Sequence, residues 1–120
     1  MRDPGERRWE RLKKTAEHRL DNLSERLPGA LREVLQDTPV LLEGWAPPEL
    51  GDGLLGLCEG VEDGRLSENP GPIHLYLYAI AQYAAQERLD FAEEVERTLL
   101  HELGHRIGFD EDDLDARGMG

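Results

Sequence analysis

Between Asp90 and Gly108 the sequence marks both ends of one helix, and this segment constrains the fold more than any other. Asp90-Phe-Ala-Glu93 has capping-box spacing, with Asp90 accepting from the backbone and Glu93 reaching back. Phe91, Val95, Leu99, Leu103 and Ile107 fall near one apolar stripe, and Gly108 supplies a stop. A helix so bounded has one face to bury, so the rest of the chain must provide a partner layer.

Further helices precede it. Trp9, Leu12, Ala16, Leu20, Leu23 and Leu27 recur at intervals of three and four, predicting an amphipathic helix over about residues 6–26. Pro28 fits the first turn of a second, shorter helix, with Leu31, Val34 and Leu35 facing inward and its end before Pro39. Val40-Leu41-Leu42 reads as a short buried strand, stopped by Gly44 and Pro47-Pro48, and residues 54–59 as a second. Residues 60–72, polar and rich in Gly and Pro, read as an exposed loop. Ile73 to Ile80 alternates apolar and polar, so it is expected to form the clearest strand, followed by a short helix over 79–88. The order predicts an α+β fold in a single domain over residues 1–120, with 1–8 and 115–120 frayed.

With 26 acids against 14 bases the formal charge is −12; residues 1–20 carry seven bases and four acids, so the remainder carries −15. That balance repels phosphate backbones and argues against a nucleic-acid partner. Cys58 is the single cysteine, which excludes an internal disulfide and a cysteine-based zinc cage and fits a reducing compartment. No apolar run approaches the roughly 20 residues that cross a bilayer, and the charged start lacks a secretory apolar region. A cytoplasmic protein is expected, with no membrane contact. Twelve Arg against two Lys is the bias of a GC-rich genome.

Within the last helix lies His101-Glu-Leu-Gly-His105. Residues four apart project from the same helix face, so both imidazoles can share one Zn²⁺. Glu102 sits about 100° round from His101, where its carboxylate can serve as general base toward an activated water. The third ligand must come from outside the helix, and Gly108, at a position suited to positive φ, can turn the acids Asp110 to Asp113 back toward the metal.

These residues carry a resemblance. His101 to Glu111, HELGHRIGFDE, resembles the HExxHxxGxx(acid) signature of small bacterial zincin-like metallopeptidases, the minimal zincins. The likeness extends over roughly residues 20–114, through Leu27-Pro28, the strand before the Pro-rich turn, Leu54-Leu-Gly-Leu57 with Glu59-Gly60, and Ile73-His-Leu-Tyr76. It implies a compact zincin core with N-terminal helices, a small mixed sheet and the C-terminal HExxH helix. It also implies one Zn²⁺ per chain held by His101, His105 and Glu111, with Glu102 as general base.

Glu111 stands where the signature usually has Asp, so Asp110 is the reserve; Asp112 and Asp113 fit a solvated turn better. Expected substrates are peptides or unstructured protein chains, laid along an edge strand near the metal as an added strand, with residues 73–80 as the candidate. Tyr76, Tyr78 and His74 lie on that strand's second face, where one could donate to the oxyanion, although each fits ordinary packing or surface better; larger zincins use a Tyr or His downstream of the motif, and here Leu114 to Gly120 follow Asp113. Two other classes remain open: a non-catalytic protein whose zinc stabilises the fold or a partner interface, and an adaptor module that merely contains the motif. An acid at position 102 favours the enzyme, since a structural zinc site gains nothing from it.

Overall fold

The computed structural model describes residues 3–62, 65–66 and 70–108. Helix α1 (Pro4–Arg26) begins two residues earlier than its apolar periodicity suggests, because Asp3 caps it by accepting from the Glu6 amide at 2.9 Å and Pro4 suits the first turn. Helix α2 (Gly29–Gln36) follows, with Pro28 at the cap position. Strand β1 (Val40–Glu43) leads through a 3₁₀ turn at Pro48–Leu50 to strand β2 (Gly56–Cys58). The expected polar loop contains a small hairpin of β3 (Val61–Glu62) and β4 (Arg65–Leu66). Strand β5 (Ile73–Tyr76), helix α3 (Leu77–Glu87) and helix α4 (Phe91–Arg106) complete the described chain.

Two expectations are corrected. The alternating stretch 73–80 is strand only to Tyr76. From Leu77 the chain is helical, because Leu77, Ile80 and Ala84, all buried, share a helical spacing of three and four that the alternation had masked. The second correction concerns the sheet, whose order is β1-β5-β2, with β5 parallel to β1 and antiparallel to β2. Strand β5 is therefore central, its backbone groups paired on both sides, and it cannot accept an added strand. The edges of this sheet are β1 and β2.

One face of the sheet carries Ile73, Leu75 and Cys58, all buried, and packs on α4 through Val95, Leu99 and Leu103, each with no exposed surface. This is the α+β architecture expected, with a small mixed sheet and the last helix at the centre of the core. Helix α1 covers α4 from another side. Arg19 Nε donates to Glu96 Oε1 at 3.1 Å and Arg26 pairs with the same carboxylate. Burial alone would raise the Glu96 pKa, but the two guanidiniums outweigh it and hold it below the usual carboxylate value. Among the described residues, no helix is long and apolar enough to cross a membrane.

Candidate metal centre

Helix α4 starts where the sequence says, with Asp90 accepting from the Glu93 amide at 3.0 Å. It ends at Arg106, with Ile107 capping and Gly108 at φ +92°, the left-handed conformation that glycine adopts without strain. Both ends of the motif's helix are thus fixed independently of the motif.

Two adjacent stripes organise its surface. Glu94, Thr98, Glu102 and Arg106, spaced by four, run beside β2; Arg97, His101 and His105 form the neighbouring stripe. His101 Nε2 and His105 Nε2 lie 3.2 Å apart, with ring centroids separated by 4.8 Å and ring planes at 83°. Two nitrogens bound at about 2.0–2.1 Å to a tetrahedral Zn²⁺ are about 3.3 Å apart. The chemistry and spacing of this imidazole pair therefore fit two ligands of one Zn²⁺. Both rings and Glu102 are half-buried, a setting in which a metal is shielded yet reachable.

Strand β2 approaches α4 closely because Gly56 has no side chain. A Cβ there would lie 2.8 Å from Thr98 Cγ2, 3.0 Å from the His74 carbonyl oxygen and 3.3 Å from Glu102 Cγ. Along this contact opens a cleft of about 330 Å³, lined by Leu54, Leu55 and Gly56 on one wall, Tyr83 from α3, and Glu94, Arg97, Thr98, His101 and Glu102 from α4. The charge of Glu102 reaches inward as well. Burial pushes the Cys58 thiol above its usual pKa, with Glu102 adding to the rise, and burial likewise raises Tyr76, with Glu43, Glu59 and Glu102 contributing.

The three residues suggested for oxyanion stabilisation lie outside the cleft lining. His74 turns Nδ1 to Glu43 and sets Nε2 3.0 Å from Glu59 Oε2, across the face of the sheet opposite α4. Tyr76 is only 2% exposed. Tyr78 packs between Trp9 and Trp45, at 5.5 and 5.9 Å between ring centroids, beneath the Arg8 guanidinium. None of the three lines the cleft. The tyrosine that does is Tyr83, which sequence reasoning passed over inside an Ala- and Gln-rich helix. Arg97 and Gly56 were passed over too, although the four-residue spacing from Arg97 to His101 was a signal.

Glu111 and Asp110, the acids expected to supply the third ligand, lie outside the described residues, as do Asp112 and Asp113. Among the described residues, no group of three His, Cys, Asp or Glu side chains converges on one metal position. Within the described residues, α4 contributes the pair of imidazoles.

The sequence profile of the zincin-like metallopeptidase family matches residues 35–120, which covers both outer strands, the central strand and the whole of α4. The chain belongs to this family. No curated protein matches it. Membership implies zinc-dependent peptidase chemistry and peptide substrates in general terms. The matched span also contains the segment after Gly108 that carries the four acids.

Proposed function

We propose that the chain is a zinc-dependent peptidase whose site holds one Zn²⁺ through His101, His105 and an acid beyond Gly108, with Glu111 first and Asp110 as the alternative. The 3.2 Å approach of the two imidazole nitrogens carries this reading, because it matches a shared tetrahedral ligand set and sits at the end of a cleft that Glu102 also lines. When bound, zinc supplies Lewis acidity, polarising the scissile carbonyl and lowering the pKa of an attacking water to about 7.

Glu102 then acts as general base. Its carboxylate takes the proton as the water's oxygen forms a bond to the carbonyl carbon, and returns it to the amine nitrogen as the C–N bond breaks. Its place on the stripe beside β2, one position from His101, supports that role. The peptide lies along the outer edge of β2, the sheet edge that borders the cleft, and gains backbone hydrogen bonds there.

Two measurements test the reading. Metal analysis of the purified chain should find about one zinc per molecule, and the zinc-loaded protein should cleave members of a broad peptide library. A Glu102→Gln variant should keep its zinc and lose cleavage by about 10²- to 10⁴-fold. Zinc retained with no cleavage by the wild type would favour the alternative, a non-catalytic metal protein.

A further inference from the structure

One helical turn before His101, the cleft carries a second piece of chemistry that zinc binding and proton transfer do not use. Arg97 and Tyr83 bring donor groups into the same cavity from two different helices, over the apolar wall of Leu54 and Leu55. Beneath Arg97 lies Glu94, whose side chain is 3% exposed, with Oε1 3.7 Å from Arg97 Nε. The Arg97 side chain itself is 58% exposed. A buried carboxylate is costly unless a cation faces it, and Arg97 Nε faces Glu94 at ion-pair distance, which draws the inner side of the guanidinium toward the helix. More than half of the Arg97 side chain is exposed where it lines the cleft, so its planar guanidinium, a group that grips a carboxylate through two parallel hydrogen bonds, is accessible there.

We propose that Arg97, oriented by Glu94 and assisted by the Tyr83 hydroxyl, forms a carboxylate-binding subsite that selects peptides carrying that group one or two residues from the scissile bond. The inference rests on the peptidase reading for what the subsite serves, and on the cleft alone for what it binds. Four residues of helix rise about 6 Å, roughly two residues of extended peptide. The carboxylate is either the substrate's C-terminus or an Asp or Glu side chain. With the chain at −12, a local guanidinium also offsets the repulsion that an acidic group meets on approach.

The test uses zinc-loaded full-length protein and acetylated tripeptides in three forms: free C-terminus, amidated C-terminus, and amidated with Glu as the last residue. Dissociation constants are measured by calorimetry at low salt. In the wild type, amidation should weaken binding roughly five- to tenfold, and if side-chain carboxylates are accepted the Glu peptide should restore it. If it does not, the subsite reads the C-terminus. In Arg97→Gln the three peptides should bind alike, with the affinity of the amidated form unchanged, which shows an intact fold. Tyr83→Phe should reduce the carboxylate advantage by a smaller factor.

Equal binding of all three peptides by the wild type would overturn the proposal. So would a carboxylate preference that survives Arg97→Gln, since the metal would then be its source. Carboxylate-selective binding without hydrolysis would count against the peptidase reading and leave the subsite standing; hydrolysis without selectivity would do the reverse.

Discussion

His101 Nε2 faces His105 Nε2 across 3.2 Å, one helical turn apart, on a helix whose two ends are fixed by Asp90 and Gly108. Both rings stand on one helix whose ends and apolar face are set by other residues, so zinc affinity should depend steeply on each ring while the fold depends on neither. His101→Ala and His105→Ala should each reduce zinc from about one per chain to a small fraction, read by elemental analysis after desalting. Wild-type protein should unfold at higher denaturant with zinc than with chelator, by about 4 kcal/mol when free zinc is a thousandfold above its dissociation constant. In either alanine variant that difference should collapse.

The third ligand can be assigned by the same measurement. Glu111 carries one methylene more than the Asp usual in the resembling signature, and Asp110 is its neighbour. If Glu111 binds the metal, Glu111→Ala should weaken zinc affinity by at least tenfold while Asp110→Ala leaves it within a factor of about two. The opposite ranking would move the assignment to Asp110.

Much of the site was legible in the sequence because it is local to one helix. Capping residues, the apolar stripe and the His-x-x-x-His spacing all depend on neighbours within four positions, and each appears where expected. The sheet order was not legible. Strand β5 was expected at an edge, but its position depends on pairings with Val40–Glu43 and Gly56–Cys58, segments far along the chain whose register leaves no mark in the alternation itself. The cleft escaped for the same reason. Tyr83, Leu54 and Arg97 become neighbours only when α3, β2 and α4 are packed together, and Leu77 was read as strand because it satisfies both periodicities.

A pH dependence follows from His74. Burial works against its charged form, but hydrogen bonds and charge from Glu43 and Glu59 outweigh burial and raise its pKa above 6.5. A raised folded-state pKa stabilises the fold below the unfolded value of about 6.5, and that contribution is lost as pH rises through the folded value. The urea midpoint of the wild type should therefore exceed that of His74→Gln by the largest margin near pH 6. The margin should shrink as pH rises through 7 and beyond. Both glutamates are partly exposed, at 44% and 49%, so salt should narrow the difference too.

Gly56 is where the sheet meets α4, beside Glu102. A Cβ at this position would press on Thr98 Cγ2 at 2.8 Å and on Glu102 Cγ at 3.3 Å, both side-chain atoms with some room to move, but also on the His74 carbonyl oxygen at 3.0 Å, which belongs to the central strand and cannot rotate away. Gly56→Ala should thus cost about 1–3 kcal/mol in urea unfolding, as overpacked contacts do. Relief requires β2 to move off α4, which widens the cleft and shifts the edge strand relative to Glu102. His101 and His105 lie on the neighbouring stripe and should keep their zinc. The expected signature is full metal content with a lower kcat/KM and a lower urea midpoint. Wild-type activity together with wild-type stability would show that strand and helix have slack here, and that the close approach of Gly56 does not set the position of the general base.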